Sequence, residues 1–221
     1  QMTQADRTAI LKKCFDPETG AGFSFIRVHI GGSDFSMDEY TCCDREGIEF
    51  FAIPDIEKEG IFPVLKEILA INPEIKIMGS PWTCPRWMKG TVADPSKPYN
   101  SWTSGRLNPA YYDDYAEYFV QWVSEMEENG FPIYAITIQN EPLNHGNSMS
   151  LYMPWEDQAA FVKKLGRRSG PQASRPRSSA TTTTTTTTMS PASRTIRSTS
   201  MPTPMRRSGS TVRPGTTTGA A

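Results

Sequence analysis

The chain of 221 residues is long enough for one ordinary domain, but its net charge of −1 conceals two unlike parts. Residues 1–166 hold all 24 acidic residues and 14 basic ones, whereas residues 167–221 hold nine arginines and no Asp, Glu or Lys. No run of 18 apolar residues occurs, which excludes a membrane-spanning helix. The four cysteines lack the spacing of a zinc site, and we expect free, mostly buried thiols.

Helix and strand patterns alternate through the acidic part. Residues 1–14 resemble a helix, and three short segments rich in β-branched and aromatic residues predict buried strands at 23–30, 74–79 and 133–138. Apolar residues at helical spacing predict helices across 61–69 and 115–126, and a further helix begins near Pro154 and continues to Leu165. This alternation is typical of βαβ units in a parallel sheet, and the sequence offers no fourth strand.

Each predicted strand leads into a loop rich in polar and aromatic residues. These loops occupy residues 31–36, 80–85 and 139–142. In parallel α/β sheets the chemistry gathers at the carboxyl ends of the strands, in the loops that lead into the helices. We therefore expect one site at this edge of the sheet.

The segment Gln139-Asn140-Glu141-Pro142 follows the third strand and carries the strongest chemical signal. A carboxylate beside an amide suits hydrolysis of a sugar acetal, because the acid must protonate a leaving oxygen from a partly dry pocket. Asn140 can donate a hydrogen bond to the sugar 2-hydroxyl. A glutamate in a loop is more often a solvated charge, but its position at a strand end favours catalysis.

Three motifs together resemble the glucosylceramidase family of glycoside hydrolases (family 30), over roughly residues 10–166. They are Arg27-Val-His-Ile-Gly-Gly-Ser-Asp34, Ser80-Pro-Trp82-Thr-Cys-Pro-Arg-Trp87 and Thr137-Ile-Gln-Asn140-Glu141-Pro142. The resemblance implies an α/β fold, a (β/α)₈ TIM barrel of which this chain supplies about strands 2–4. It also implies a retaining mechanism with two glutamates that act on a β-glucoside or related glycan. No metal, other cofactor or nucleic-acid partner is implied.

The resemblance assigns roles to five residues. Glu141 corresponds to the general acid/base and Asn140 to the residue that contacts the 2-hydroxyl, while Arg27 lies beside the nucleophile. Asp34 and Trp82 correspond to residues that hydrogen-bond the bound glycosyl unit. From the residues alone, Arg27 on a buried strand needs a carboxylate partner, which could equally be a structural ion pair. Asp34 could instead cap a turn.

Four further aromatic residues near these loops are expected to be structural. His29 should share the inward face of Arg27, and His145 follows Glu141 closely enough to line the site, but neither has a partner that the sequence identifies. Trp87 and Trp102 could stack on sugar rings, although packing of their long loop is favoured.

The chain departs from the family pattern at the nucleophile. The family's first strand would precede residues 1–14, and its nucleophilic glutamate comes from the seventh strand. The last acidic residue here is Asp157, so no later side chain can take that role. We expect a truncated, inactive form of an enzyme that is secreted or periplasmic. The alternative is a non-catalytic protein that binds carbohydrate or interacts through its tail.

Residues 167–221 form an Arg/Ser/Thr/Pro-rich tail that we expect to be disordered. Read one base out of frame, its segments 178–183, 195–205 and 210–219 are compatible with family-like sequence. We therefore interpret the tail as an out-of-frame translation of the fifth and sixth strand region. A mucin-like O-glycosylated linker and a basic arm that binds nucleic acid are the alternatives.

Overall fold

The computed structural model describes residues 2–168, in which parallel strands and helices alternate. The helices are α1 (Gln4–Phe15), α2 (Asp55–Ile71), α3 (Tyr112–Glu128) and α4 (Trp155–Arg168). The strands are β1 (Phe25–Ile30), β2 (Lys76–Pro81), β3 (Lys89–Gly90), β4 (Arg106–Leu107) and β5 (Ile133–Ile136), and single 3₁₀ turns lie at Ile48–Phe50, Arg86–Met88 and Pro109–Tyr111. Helix α4 continues two residues past the predicted boundary at 166. The rest of the predicted tail lies outside the described residues.

The main sheet has the strand order β1-β2-β5, with both pairs parallel. Arg27 lies opposite Met78 and His29 opposite Ser80, and the β2–β5 pairing contains an irregularity after Ile77. The predicted parallel sheet is thus confirmed, and its three carboxyl ends meet at one edge. The antiparallel pair β3–β4 was not predicted, because two-residue strands carry no periodic signal.

Helix α3 packs its apolar stripe against the sheet, as its spacing predicts. Seven of its residues are buried, and all are aromatic or apolar: Tyr112, Tyr115, Ala116, Tyr118, Phe119, Trp122 and Met126. The helix approaches β2 so closely that a Cβ on Gly79 would lie 2.6 Å from the Trp122 ring. Glycine at this position therefore lets the strand and helix come together, and larger side chains are excluded.

The opposite face of the sheet is only partly covered, which corrects the prediction of fully buried strands. Phe25 and Arg27 on β1 are exposed, whereas the alternate residue Ile26 is half-buried. Phe25 meets Tyr134 of β5 edge-on, with ring centres 6.3 Å apart, and the Tyr134 side chain is 52% exposed. The reason is that the described residues contain no further strands to close over this face.

The cysteines of the described residues are free, as predicted. Cys42, Cys43 and Cys84 are buried and Cys14 is half-buried. Across residues 2–168, the helices fall short of the length and apolarity that a bilayer crossing demands.

A buried carboxylate, Glu57, lies in the first turn of α2 beside the loop that follows β1. Its side chain is only 2% exposed, and its Oε1 atom has no hydrogen-bond partner among residues 2–168. Burial raises the pKa of Glu57 to about 7, although hydrogen bonding by the Tyr40 side chain and the Gly31 backbone acts in the opposite direction. The folded chain therefore holds this proton more tightly than an exposed glutamate would.

We expect Glu57→Gln to remove a pH dependence of stability between pH 4.5 and about 7. Because the folded state binds the proton more tightly, the free energy of unfolding of the native chain falls as pH rises through this window. Above pH 7 the decrease in the free energy of unfolding is complete, and it amounts to about 3 kcal/mol. Urea unfolding at both ends of the window measures it, with the exposed Glu59→Gln on the same helix as the control. An equal Glu57→Gln effect at both pH values would contradict the assignment.

Candidate active site

Arg27, in the middle of β1, reaches across β2 to the segment that follows β5. Its Nη2 atom donates to Asn140 Oδ1 at 2.7 Å, and its guanidinium carbon lies 4.9 Å from the centre of the Trp82 ring. The structure thus brings together three predicted site residues from the three strands and their loops. The prediction that Arg27 has a carboxylate partner is wrong for residues 2–168. Its side chain is exposed on the open face of the sheet, where the guanidinium stays solvated and a single amide oxygen is a sufficient partner.

Backbone and hydroxyl contacts tie the end of β5 to the end of β2. Asn140 N donates to Pro81 O, and Thr137 N to Gly79 O, both at 2.8 Å. The Ser80 and Thr137 hydroxyl oxygens lie 2.6 Å apart. Asn140 is therefore held through both its main chain and its side chain, and the next residue along the chain is Glu141.

Glu141 leaves the strand in a strained conformation. Its φ of +43° lies in the left-handed region, which costs a non-glycine residue about 1 kcal/mol. Its Oε2 atom accepts a hydrogen bond from Asn144 Nδ2 at 2.8 Å, while Asn144 N donates to Glu141 O at 2.9 Å. The side chain is exposed, so residues 2–168 do not by themselves form the dry pocket expected around an acid catalyst. Strain of this kind is concentrated at functional sites.

Two buried polar atoms beside this cluster have no hydrogen-bond partner within the described residues. They are Trp82 Nε1, a donor, and Gln139 Oε1, an acceptor. Gln139 itself is fixed, because its Nε2 atom donates to Trp82 O at 2.7 Å and to Asn140 O at 2.9 Å. An unpaired buried donor or acceptor costs about 1–3 kcal/mol. Gln139 was not among the predicted site residues, although its place in the motif was a signal for it.

Asp34 is exposed and lies in a different depression. The turn around it is closed by two serines rather than by Asp34: Ser33 N donates to Ser36 Oγ at 2.9 Å, and Phe35 N to Ser33 Oγ at 3.2 Å. Asp34 lines an open pocket of about 370 Å³ whose other walls include residues 36–39, Ser148 and Met149. None of Arg27, Trp82 and Asn140 lines this pocket.

Both histidines have partners that the sequence did not identify. His29 pairs its Nδ1 atom with the Gly31 carbonyl, and burial lowers its pKa, which favours the neutral ring. His145 Nδ1 lies 3.1 Å from Ser104 Oγ, and its ring meets Tyr152 with centres 5.1 Å apart. These contacts agree with the structural roles expected of them.

The packing role favoured for Trp87 is confirmed. Its Nε1 atom donates to Cys43 O at 2.8 Å, and its ring meets Tyr111 edge-on. Trp102 lies under the guanidinium of Arg86, whose central carbon is 4.5 Å from its ring centre. Within the described part of the chain, no three potential metal ligands come together.

Comparison with known proteins identifies the fold. The model of the glycosyl hydrolase family 30 TIM-barrel domain matches residues 2–171. A solved endo-β1,6-glucanase is 57% identical with a TM-score of 0.73, covering 76% of this chain and 37% of that one. The endo-1,6-β-D-glucanase BGN16.3 of Trichoderma harzianum is 38% identical over 155 residues, 65% of this chain and 31% of its own.

A lysosomal acid glucosylceramidase of mouse is 26% identical over 147 residues, 60% of this chain and 26% of its own. The chain spans about a third of the length of the curated glucanases it matches. The predicted partial (β/α)₈ barrel is thereby confirmed, together with the resemblance that suggested it.

We expect Glu141→Gly to be more stable than Glu141→Ala by about 1 kcal/mol, because only glycine adopts the left-handed conformation without a steric cost. Urea unfolding of the two variants measures the difference. Leu143 is exposed on the same loop and is not among the positive-φ residues, so the corresponding pair there should show the opposite order. If alanine were as stable as glycine at position 141, the strain assigned to Glu141 would be refuted.

Proposed function

The chain belongs to glycosyl hydrolase family 30, whose relatives are glycosidases, and we propose that it carries the acid/base half of a retaining β-glycosidase site. The observation that carries the proposal is the hydrogen bond from Arg27 to Asn140 at the carboxyl edge of the sheet. This hydrogen bond holds Asn140 beside Trp82. A glycosyl unit bound there would contact the side chains of Arg27, Trp82, Asn140 and Glu141.

The mechanism follows from the hydrogen-bonding groups of the site that the protein itself leaves unpaired. Arg27 occupies the oxygen of the Asn140 amide, which leaves Asn140 Nδ2 to donate to the sugar 2-hydroxyl. This contact strengthens as positive charge develops at the anomeric carbon. Glu141 protonates the leaving oxygen while a second glutamate attacks that carbon, and Glu141 then takes a proton from the water that hydrolyses the ester. Trp82 Nε1 is a further donor for a ring hydroxyl once the indole turns towards the sugar, because this atom is buried in the described residues.

We propose that the 221 residues do not supply the nucleophile, so that this chain binds a sugar without turning it over. Only two carboxylates follow Glu141 in the sequence, Glu156 and Asp157. Asp157 is held by Arg106, whose Nη2 atom donates to Asp157 Oδ1 at 2.9 Å. Glu156 is exposed in the first turn of α4. We therefore propose that neither carboxylate acts as the nucleophile.

For the substrate we propose a β-1,6-linked glucan. The support is the identity of the chain to endo-β1,6-glucanases, which is 57% and 38% in two of them and 26% in a glucosylceramidase. The contacts assigned above recognise a glucosyl unit and its hydroxyls. Discrimination among linkages depends on the neighbouring unit, for which Asp34 on the adjacent loop is the proposed polar contact.

For residues 167–221 we propose out-of-frame translation of the parent enzyme. The proposal is supported by the loss of every Asp, Glu and Lys after Lys164 and by a family match that ends at residue 171. Sequencing the gene across codon 166 tests it: a single inserted or deleted base should restore family-like sequence. A gene without those hidden segments would refute it and favour a genuine tail.

We expect no covalent labelling of the chain by a 2-deoxy-2-fluoro-β-glucoside with an activated leaving group, because such reagents esterify the nucleophile. Intact-mass measurement after long incubation provides the readout. Stoichiometric labelling would show that a nucleophile is present and would end the proposal of inactivity.

We expect the chain to bind a short β-1,6-linked gluco-oligosaccharide, and Trp82→Phe to weaken the affinity about 3- to 10-fold, because the ring stays and only one donor is lost. Calorimetric titration measures the dissociation constants. Trp87→Phe is the matched control, since that indole donates to a backbone carbonyl outside the cluster. Equal losses in both variants would place the sugar elsewhere.

A further inference from the structure

Lys89 is a buried cation that the mechanism does not use. It is 1% exposed, and its Nζ atom donates to four backbone carbonyl oxygens. They belong to Ser101 at 2.9 Å, Trp102 at 3.1 Å, Ser104 at 2.8 Å and Ser150 at 2.9 Å. An ammonium group has three protons, so four acceptors saturate it completely.

No carboxylate within residues 2–168 forms an ion pair with this ammonium group. Its titratable neighbours are the Cys84 thiol and the Arg86 guanidinium, and burial lowers the pKa of Lys89 to about 8. At neutral pH the group is therefore mostly charged. Burying an ammonium is costly unless its protons are bonded, so the four carbonyls provide the compensation that an acidic residue would otherwise give.

The four carbonyls come from two different loops. Ser101, Trp102 and Ser104 lie between β2 and α3, whereas Ser150 lies between β5 and α4. Two backbone amides reinforce the junction: Ser104 N donates to Ser150 Oγ at 2.9 Å, and Ser150 N to Trp102 O at 3.1 Å. Ser104 has a φ of +63°, a strained conformation that turns its carbonyl into this cage. Lys89 thus joins the segment between β2 and α3 to the segment between β5 and α4.

From this junction, a short path of contacts leads to Glu141. Ser104 Oγ lies 3.1 Å from His145 Nδ1, and the preceding residue, Asn144, donates to Glu141 Oε2 at 2.8 Å. The far side of the same loop is held by Met153 N, which donates to Pro142 O at 2.8 Å. The junction that Lys89 organises is thus one of the attachments of the loop between Glu141 and Met153, beside the hydrogen bonds from Tyr152 N to Gly105 O at 2.9 Å and from Thr83 Oγ1 to Ser150 O at 3.2 Å.

We propose that Lys89 is a positioning residue for Glu141, which it serves by clamping the loop after β5 onto the loop after β2. This role rests on the proposed function of Glu141 as acid/base. The charge carries the role, because the four acceptors converge on one point. Methionine keeps the length of the stem but removes the ammonium donor from all four carbonyls, and only Trp102 O and Ser150 O keep another donor in the described residues, Ser150 N and Thr83 Oγ1. The planar fork of arginine cannot address acceptors arranged around one atom.

The first test compares amide hydrogen exchange in the full chain and in Lys89→Met. Exchange at the amides of Ser104, Asn144, Ser150 and Met153 should accelerate at least about tenfold, while the amides of α3 keep their protection. Lys89→Arg should lie between the two. Lys97→Met is the control, because Lys97 is an exposed lysine of the same loop. Unchanged exchange in Lys89→Met would show that the stem alone is needed, and would overturn the proposal.

A second measurement needs no variant and so does not depend on whether Lys89→Met folds. In ¹⁵N-lysine-labelled native chain at pH 6, one ammonium resonance should exchange slowly with water and show scalar couplings to backbone carbonyl carbons. Exposed lysines lose their signal by rapid exchange. Absence of a protected ammonium resonance would rule out the cage.

Sugar binding separates this proposal from the one it rests on. The β-1,6-linked gluco-oligosaccharide should bind Lys89→Met about tenfold more weakly than the native chain. If the loops open but the affinity is unchanged, the positioning role is wrong. If the native chain binds no oligosaccharide, the proposed function fails, and the exchange data alone then decide whether Lys89 clamps the two loops.

Discussion

The hydrogen bond between Arg27 and Asn140 is the contact on which the candidate site depends. It connects two strands that are not neighbours, because β2 lies between β1 and β5. The bridge forms because the long Arg27 side chain lies on the open face of the sheet and reaches the segment that follows β5. It orients the Asn140 amide and keeps Trp82 beneath the guanidinium. The direction in which Glu141 leaves the sheet follows from the position of the residue before it.

Most of the packing lies at one face of the sheet, whereas the candidate site lies near the carboxyl ends of its strands. Apolar side chains of the helices pack against one face of the sheet, and the contact between Trp122 and Gly79 is among the closest there. Some costly features lie near the carboxyl ends of the strands: the left-handed Glu141, the buried Lys89 and the unpaired polar atoms of Trp82 and Gln139. Others lie in the core, where the Tyr115 hydroxyl, the Trp122 indole nitrogen and Glu57 Oε1 have no partner within the described residues. Only the unpaired atoms have hydrogen-bonding capacity left over, because Lys89 is already satisfied by four backbone carbonyls.

Local patterns predicted most of the secondary structure because they follow from the repeat of helix and strand. The stripe from Tyr115 to Met126 was sufficient to place α3. The exposure of Arg27 was not predicted. A strand that is buried on both faces and a strand that is open on one face can have the same sequence pattern. Lys89 was missed because a lysine in a loop is ordinarily solvated, and nothing near it in sequence indicates four converging carbonyls.

The sequence by itself determined the alternation of strands and helices, the family and the order of the three motifs, since these depend on neighbours along the chain. Only the tertiary structure decided which groups meet: Arg27 with Asn140 over 113 positions, and Lys89 with Ser150 over 61. It also decided which polar atoms remain unpaired. Burial and hydrogen bonding are properties of the assembled sheet and its loops, and residues far apart in sequence supply both sides of each contact.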